Sequence, residues 1–320
     1  MGRELWFEAP RAARLRDAAP LVAGPGEIVA RAIASGISRG TELLLYRGEG
    51  PTPFDPSMGA ATYPCRYGYA WVGEVTSAGD GVGLGIGQRI FALAPHGDEH
   101  RADARSVRAI PEGIPPTRAT LAANLETGVN AAWDARVGLG DRALVVGGGV
   151  VGLACALAAA RSGADVTVVE PAGRRRDAAL AIGAARAVPT DGELDGRFDV
   201  VFEATGRPES LTSAIERAAD EARVVVASFY GARTAPVPLG DAFHRRRLSL
   251  VSSQVSRIPS ERAARWDHAR RFELVLALLQ DARLDAMIDP PRPFERAAEV
   301  YAELDARPAD GLHATFAYGR

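Results

Sequence analysis

Residues 142–160 read RALVVGGGVVGLACALAAA, and this stretch decides the fold of the chain. An apolar run with β-branched residues comes first, three successive glycines follow, and an Ala-rich run of helix-forming residues ends the segment. The uncharged residues 143–160 just reach the length of a membrane span, but their central glycines mark a tight turn instead. We therefore predict a strand, a loop and a helix that lie within a globular core.

The glycines of this stretch match the pattern G-x-G-x-x-G, directly after a predicted strand and at the start of a predicted helix. In that setting the first glycine allows the tight turn, and the second lets backbone N–H groups approach a pyrophosphate. The third lets helix and strand pack closely. The sequence therefore predicts a dinucleotide site whose loop consists of Gly147, Gly148, Gly149, Val150, Val151 and Gly152.

The next predicted strand ends at Glu170, 18 residues after Gly152. An acidic side chain at this place can accept hydrogen bonds from both hydroxyls of an adenosine ribose, which favours NAD. A competing interpretation uses the three arginines at 174–176 to bind the 2′-phosphate of NADP, but Glu170 would then face that phosphate. We expect NAD as the cofactor, with NADP as the less favoured alternative.

Apolar strands alternate with helical segments on both sides of the glycine loop. The runs RALVV, ADVTVVE, DVVFEATG, ARVVVASF and LSLVSSQ are typical of parallel strands that are buried on both faces. Their alternation with helices predicts an α/β fold with a doubly wound parallel sheet, a Rossmann domain. Thr205 and Phe229 follow two of these strands at their carboxyl ends, where open α/β sheets bind ligands, so we add both to the predicted cofactor contacts.

The remainder of the chain has a different pattern. Residues 1–116 contain short strands such as EIVARAIAS and WVGEVTSAG, separated by Gly and Pro, and predict a β-rich domain. The section 261–320 predicts a long helix (ERAARWDHARRFELVLALLQ), a second helix (FERAAEVYAEL) and a short strand (HATFAY). A length of 320 residues with 47% hydrophobic content suffices for two packed cores. The Rossmann domain is expected at 117–260.

Composition excludes several classes of function. A net charge of −2 and a pI near 6.3 leave no positive field for nucleic acid. The sequence contains no lysine, which excludes a Schiff-base lysine or a lysine base. Cys65 and Cys155 are too few for a disulfide framework, and the N-terminus MGRELWFEAP is unlike a signal peptide or a myristoylation motif. We expect a cytoplasmic protein that binds a small-molecule substrate and no membrane.

These features together resemble the medium-chain dehydrogenase/reductase superfamily, whose catalytic domain is GroES-like. The resemblance covers the whole chain and implies that 1–116 is the GroES-like catalytic domain, to which 261–320 returns. In zinc-dependent members a segment like SGICGTDLHIYRG supplies a cysteine ligand of the catalytic zinc, and residues 35–48 here read SGISRGTELLLYRG. Ser38 stands at the cysteine position. Arg39 matches an arginine that contacts the cofactor pyrophosphate in the family.

The other two metal elements of the family are also altered. Where G-H-E-x-x-G-x-V supplies a histidine ligand and a glutamate, residues 68–75 read GYAWVGEV, so Tyr69 and Ala70 replace them. Where relatives have LEPLSVAVHA, this chain has LETGVNAAWDA and keeps Glu126. A hydroxyl, a phenol and one carboxylate do not meet the ligand requirement of a catalytic zinc. We predict no zinc and no other metal, and an aromatic pocket lined by RYGYAWVGEV at 66–75.

Within the superfamily the chain looks most like the group that includes bacteriochlorophyllide a dehydrogenase. Without zinc, hydrogen-bond donors must polarise the carbon–oxygen bond of the substrate. We therefore predict Ser38, Thr41, Tyr69 and Glu126 as catalytic residues, with Tyr69 and Ser38 at the substrate oxygen and Glu126 orienting one of them or acting as base. Alternatives are a packed aromatic role for Tyr69 and an ion-pair role for Glu126.

The predicted function is zinc-independent, NAD(P)-dependent hydride transfer to or from an alcohol or carbonyl group of a fairly large metabolite. An NADPH-dependent quinone or enoyl reductase and a catalytically silent nucleotide-binding protein stay open as alternatives. His96 and His100 in PHGDEH have the i, i+4 spacing of a helical metal pair, but Pro95 and Gly97 predict a loop, so we expect surface or pocket lining. The resemblance also implies a homodimer, with the edge strand at 248–255.

Overall fold

The computed structural model of the chain describes residues 2–50, 62–307 and 311–319. No helix within these ranges combines the length and the apolar composition needed to cross a bilayer. The uncharged residues 143–160 form the end of a strand, a glycine loop and a buried helix, as predicted.

The elements of the described residues follow in chain order. The strands are β1 (Gly2–Ala9), β2 (Ala12–Ala18), β3 (Glu27–Ile37), β4 (Trp71–Ala78), β5 (Arg89–Ala92), β6 (Glu99–Asp103), β7 (Arg108–Ala109), β8 (Arg142–Val146), β9 (Asp165–Val169), β10 (Arg186–Val188), β11 (Phe198–Glu203), β12 (Ala218–Val226), β13 (Ser249–Ser252), β14 (Arg292–Pro293) and β15 (Ala314–Ala317). The α-helices are α1 (Thr41–Arg47), α2 (Pro116–Ala119), α3 (Ala122–Ala135), α4 (Val150–Arg161), α5 (Gly173–Ala181), α6 (Ser210–Glu216), α7 (Asp241–Arg245), α8 (Ser260–Ala263), α9 (His268–Leu278) and α10 (Ala297–Ala306). Short 3-10 helices cover Asp191–Glu193, Ala282–Met287 and Phe294–Arg296.

Contacts divide the chain into two compact units. The first unit consists of Met1–Ala123 and Ile288–Arg320, and the second of Asn124–Met287. The end of the chain therefore belongs to the same unit as its N-terminal half. The predicted boundaries at 116/117 and 260/261 both lie before the observed changes of unit, and as domain boundaries they stay predictions.

The first unit is built on a mostly antiparallel sheet of seven strands in the order β14-β15-β3-β4-β5-β7, with β6 paired to β3. Strand β3 lies at the centre of this sheet. Most of its residues are buried, so buried and exposed positions alternate little along it. Hairpin β1-β2 forms a separate two-stranded sheet. Because this central strand ends at Ile37, the residues that follow it start at the middle of one sheet edge.

The second unit contains a six-stranded sheet in the order β10-β9-β8-β11-β12-β13, and all its neighbours are parallel. Four of the five residues in β8 and in β9 are buried, which agrees with the continuous apolar runs in the sequence. From β8 the chain adds β9 and β10 on one side, and then returns to place β11 on the other side of β8. This order confirms the predicted α/β doubly wound fold.

One predicted helix is wrong in its extent. Residues 261–280 do not form a single helix, because α8 ends at Ala263 and α9 begins at His268. Asp267 between them has extended backbone, and its carboxylate accepts the N–H of Arg270 at 2.8 Å, a side-chain cap that starts a new helix.

Candidate functional site

The glycine loop of the second unit has the geometry that close backbone approach requires. Gly147 adopts φ +100°, a conformation that favours glycine. A Cβ atom on Gly152 would lie 1.9 Å from the carbonyl oxygen of Gly147, so only glycine lets α4 start this close to the loop. Gly149 precedes the first helical residue, Val150. The first N–H groups of a helix have no partner within it, so this loop can hold a pyrophosphate.

The loop also lies at the reversal of strand order. It follows β8, whose neighbours are β9 on one side and β11 on the other. Connections from these two strands leave in opposite directions, and in open α/β sheets the crevice at such a point binds the ligand. The residues of the predicted dinucleotide loop thus occupy the place in this unit that suits a cofactor best.

Glu170 closes the other side of the loop and is only 5% exposed. Its Oε2 accepts the N–H of Gly148 at 2.9 Å, and its Oε1 accepts the N–H of Ala172 at 2.9 Å. Arg175 Nη1 lies 3.5 Å from the same Oε2. A carboxylate has about four acceptor positions, so capacity for ribose hydroxyls is left. The neighbouring arginine lowers the negative potential that a 2′-phosphate would meet.

Thr205 is held by a buried carboxylate that the sequence did not single out. Glu203, the last residue of β11, has no exposed surface. Its Oε1 accepts the N–H of Thr205 at 2.8 Å, and its Oε2 accepts the hydroxyl of Tyr230 at 2.5 Å. Phe229, the other predicted contact of this edge, is 45% exposed. Both predicted residues therefore lie at strand ends, and their contact with a cofactor stays a prediction.

The structure brings Ser38, Thr41 and Tyr69 of the first unit together, and we call these three residues the hydroxyl cluster. Ser38 follows β3 and Thr41 begins α1, so the two lie on one short connection. The N–H of Thr41 donates to Ser38 Oγ at 3.2 Å, and the side chains of both residues hydrogen-bond the hydroxyl of Tyr69. Ser38 is 9% exposed, whereas Tyr69 is only partly buried.

Burial and, after it, the negative charge of Glu42 raise the pKa of Tyr69 to about 12, although the hydrogen bonds from Ser38 and Thr41 oppose the shift. Since this value lies far above neutral pH, the phenol keeps its proton. Tyr69 is therefore a hydrogen-bond donor and not a base under ordinary conditions.

Of the three aromatic rings in the pocket predicted for RYGYAWVGEV, only that of Tyr69 is partly exposed. Trp71 has no exposed surface, and its Nε1 donates to the carbonyl of Gly97 at 3.0 Å. Tyr67 is 5% exposed and belongs to the hydrophobic core. The prediction was wrong for these two rings, because Tyr67, which precedes β4, and Trp71, which begins it, both pack into hydrophobic clusters of the unit.

The catalytic candidate Glu126 and the cofactor-binding candidate Arg39 have partners of their own. Glu126 lies on α3 in the second unit, and its Oε1 accepts from Arg271 Nε at 3.0 Å. Arg271 is 3% exposed and also donates to Asn130 Oδ1 at 2.8 Å. Arg39 of the first unit donates from Nη2 to the carbonyl of Arg307 at 2.9 Å. The roles of Glu126 as orienting group or base and of Arg39 at the pyrophosphate stay predictions.

The residues that the resemblance assigns to the zinc positions do not offer the ligand types of a catalytic zinc. Such a site takes three ligands from thiolate, imidazole and carboxylate groups. Ser38 offers a hydroxyl, Tyr69 offers a phenol whose pKa of about 12 opposes a phenolate, and Glu126 is paired with Arg271. Within residues 2–50, 62–307 and 311–319, no three His, Cys, Asp or Glu side chains are grouped so that they could hold a metal.

Sequence reasoning missed the buried polar side chains beneath the hydroxyl cluster. Glu42 and His96 both have no exposed surface, and His96 Nε2 lies 3.0 Å from Glu42 Oε2. The expectation that His96 lines the surface or a pocket was therefore wrong. The motif S-x-G-T-E contained Glu42, but no spacing in the sequence connects it with a histidine 54 residues away.

Comparisons with known proteins find relatives along nearly the whole chain. Residues 150–271 match the family described as zinc-binding dehydrogenase. The 2-desacetyl-2-hydroxyethyl bacteriochlorophyllide A dehydrogenase of Cereibacter sphaeroides is 30% identical over 310 residues, which cover 89% of this chain and 88% of that protein.

Two solved structures with nicotinamide cofactors share the fold. A protein of Sinorhizobium meliloti 1021 described as a zinc-binding dehydrogenase, bound to NADP, superposes with a TM-score of 0.80 at 20% identity and covers 99% of both chains. An alcohol dehydrogenase of Escherichia coli CFT073 in complex with NADH gives a TM-score of 0.80 at 18% identity and covers 99% of both chains.

Proposed function

We propose that this chain, which belongs to the medium-chain dehydrogenase/reductase superfamily and is one of its oxidoreductases, transfers a hydride between a nicotinamide and an alcohol or carbonyl group without a catalytic zinc ion. The observation that carries the proposal is the hydroxyl cluster, in which Ser38 and Thr41 hold a protonated Tyr69 hydroxyl. Positioned donors of this kind can polarise a carbonyl oxygen in place of a metal.

The residues of the chain polarise and orient the substrate, and water exchanges the proton. When bound, the nicotinamide supplies or accepts the hydride. In the direction of reduction, the Tyr69 O–H donates a hydrogen bond to the carbonyl oxygen and stabilises the negative charge that develops there. In the direction of oxidation, Tyr69 keeps its hydrogen bond to the substrate oxygen, and the proton of the alcohol passes to water as the hydride leaves, because the phenol stays protonated. Ser38 and Thr41 hydrogen-bond the phenol oxygen and so fix the direction of its O–H.

For the cofactor we propose NAD, held at the glycine loop and at Glu170. The support is that Glu170 lies beside Gly148 with acceptor capacity left for the ribose hydroxyls. Solved relatives bind either NADP or NADH, so the family alone does not decide between them. The proximity of Arg175 to Glu170 makes NADP a tolerated second cofactor in this proposal.

For the substrate we propose a secondary alcohol, or the matching ketone, on a fairly large metabolite. The name of the relative from Cereibacter sphaeroides describes a bacteriochlorophyllide with a hydroxyethyl group in place of an acetyl group, and reduction of an acetyl ketone gives a secondary alcohol. Tyr69 alone among the rings of RYGYAWVGEV is accessible enough to face it. Only the chemical class is extended to this chain.

The experiment that tests the proposal follows deuterium from labelled NADH into a panel of ketones and enones by mass spectrometry. We expect label in a secondary alcohol, and we expect Tyr69→Phe to lower kcat by about 10²-fold or more, the usual contribution of a positioned proton donor. Tyr46→Phe is the matched control, because the Tyr46 hydroxyl binds the carbonyl of Arg11 instead. Full activity of Tyr69→Phe would contradict the proposal, and label only in reduced enones would favour an enoyl reductase.

We further propose a cytoplasmic homodimer. Cys65 and Cys155 are both free, buried thiols, which suits a reducing compartment. Strand β13 lies at the end of the six-stranded sheet, and Leu250 in it is 37% exposed. An edge strand of this kind can pair with a second copy. Light scattering after gel filtration should give twice the chain mass, and Leu250→Arg should give the monomer mass.

A further inference from the structure

The carboxylate of Glu42 is completely buried beneath the hydroxyl cluster, and each of its oxygens has a partner. Oε1 accepts the N–H of Ser38 at 3.0 Å. Oε2 accepts the hydroxyl of Tyr301 and lies 3.0 Å from His96 Nε2. Three donors therefore surround one carboxylate that belongs to the first turn of α1.

His96 continues the network on its other side. Its Nδ1 lies 2.7 Å from Ser35 Oγ, and Ser35 Oγ lies 2.7 Å from the hydroxyl of Tyr318. The imidazole packs edge-on against Phe316 with 5.2 Å between ring centroids. If Tyr318 donates to Ser35 and Ser35 donates to Nδ1, then Nε2 carries the proton that Glu42 accepts. With this arrangement a neutral imidazole satisfies all groups, and the network then holds the negative charge of Glu42.

That charge is connected to the hydroxyl cluster in two ways. The N–H of Ser38 is fixed by Glu42, and Ser38 Oγ in turn accepts the N–H of Thr41, so the carboxylate holds the connection on which both hydroxyls lie. The negative charge also acts on Tyr69 through space. In a buried site the effective dielectric constant is low, so such an interaction is stronger than in water.

A buried carboxylate is costly unless hydrogen bonds and nearby charges compensate it, and apolar side chains of similar volume would pack as well. We propose that Glu42 is a positioning residue for Tyr69: its carboxylate, oriented by His96 and Tyr301, fixes residues 38–41 and so holds Ser38 and Thr41 against the Tyr69 hydroxyl. The inference rests on the proposed function only for the use of Tyr69 as the donor at the substrate oxygen.

Other titratable groups also lie near Glu42 and His96, and their ionisation would contribute to any pH titration of the whole protein. After burial, the negative charge of Glu42 contributes to the raised pKa of Tyr67, Tyr301 and Tyr318. Burial and, after it, the positive charge of Arg66 lower the pKa of His100 to about 4. The titratable and charged groups around this network are therefore Tyr67, Tyr69, Tyr301, Tyr318, His100 and Arg66. A measurement must therefore observe Tyr69 alone.

The test places 3,5-difluorotyrosine at position 69 by stop-codon suppression, because its phenol ionises at lower pH and its fluorine NMR signal reports one site. We expect Glu42→Gln to lower the pKa of this phenol by about one unit or more, a tenfold change in its ionisation constant. Glu42→Asp keeps the charge and should keep most of the elevation. Tyr301→Phe removes one donor from the carboxylate and should shift the phenol pKa upward.

An unchanged fluorine titration in a folded Glu42→Gln protein would overturn the inference and leave Glu42 with a structural role. If Glu42→Gln does not fold, Tyr301→Phe decides, and the absence of an upward shift overturns it. The resting protein suffices for this readout, so the proposed function is tested separately. A shifted titration together with full activity of Tyr69→Phe would support the coupling of Glu42 to Tyr69 and overturn the proposed function.

Discussion

The glycine loop of the second unit and the hydroxyl cluster of the first unit reach their geometry in opposite ways. The loop is made by consecutive backbone atoms, and its shape depends on the absence of side chains at Gly147 and Gly152. The cluster is made by side chains, and its shape depends on a carboxylate and an imidazole buried behind it. Backbone geometry changes little among relatives of one fold, whereas a side-chain network can replace one chemistry with another. Under the proposed function, this difference allows a fold shared with zinc-binding dehydrogenases to hold a phenol donor.

The largest effect is expected at Arg271, where a side-chain network crosses the second unit. Arg271→Met leaves the Glu126 carboxylate without its ion-pair partner in a site where that side chain is 12% exposed. Breaking a buried pair from one side costs about 3–5 kcal/mol of unfolding free energy. Urea denaturation measures this loss, and the double variant Arg271→Met, Glu126→Leu should recover most of it.

The variant Glu126→Gln distinguishes an ion-pair role of Glu126 from a role as catalytic base. If Glu126 acts through its ion pair, this variant lowers stability and changes kcat by less than about tenfold. A loss of kcat comparable to that of Tyr69→Phe, in a protein of unchanged stability, would instead assign Glu126 the role of base.

A second large effect concerns the pH dependence of stability in the first unit. His313 is 2% exposed, and burial lowers its pKa from 6.5 to about 4. Between these two values the unfolded chain binds a proton that the folded chain excludes, so stability falls as the pH decreases from 6.5 to 4. The shift corresponds to about 3 kcal/mol at pH 4.

Denaturation curves at several pH values should show a flatter profile for His313→Gln. His268→Gln is the control, because that side chain is exposed and bonds a backbone carbonyl at 3.2 Å. An identical slope in His313→Gln and in the unaltered protein would contradict the neutral, buried state of His313.

The glycine loop should respond to a single methyl group. Gly152→Ala would place its Cβ atom 1.9 Å from the Gly147 carbonyl oxygen, so the loop or the start of α4 must move. We expect the Kd for NADH, measured by fluorescence, to rise about 100-fold, which is about 2.7 kcal/mol. In Gly138→Ala the added Cβ meets no atom within 4 Å, so affinity should stay unchanged. Equal affinities of the two variants would contradict the assigned loop.

The smallest of these effects is expected for cofactor preference. Glu170→Gln keeps the hydrogen bond from Gly148 but removes the negative charge next to Arg175. Bonds to a charged group contribute about 1.5–3 kcal/mol, so NADH affinity should fall about tenfold or more while NADPH affinity rises. The ratio of the two Kd values is the measurement. An unchanged ratio would place the ribose elsewhere.

The same two regions show what the sequence could predict. The strand, the glycine loop, the helix and Glu170 follow one another within about thirty residues, so local patterns sufficed for the fold and for the candidate cofactor site. The polar network behind Tyr69 joins Ser35, Glu42, His96, Tyr301 and Tyr318. These residues are brought together only by the tertiary fold, and single-sequence spacing holds no signal for such contacts.

Activity of protein stripped of metal tests the central claim most directly. The zinc content of protein purified without an affinity tag is determined by elemental analysis before and after dialysis against a chelator. Label transfer from deuterated NADH is measured at both stages and again after added zinc. The account predicts substoichiometric zinc with unchanged turnover, and a loss of that turnover in Tyr69→Phe. Stoichiometric zinc whose removal abolishes turnover, and whose return restores it, would contradict the account.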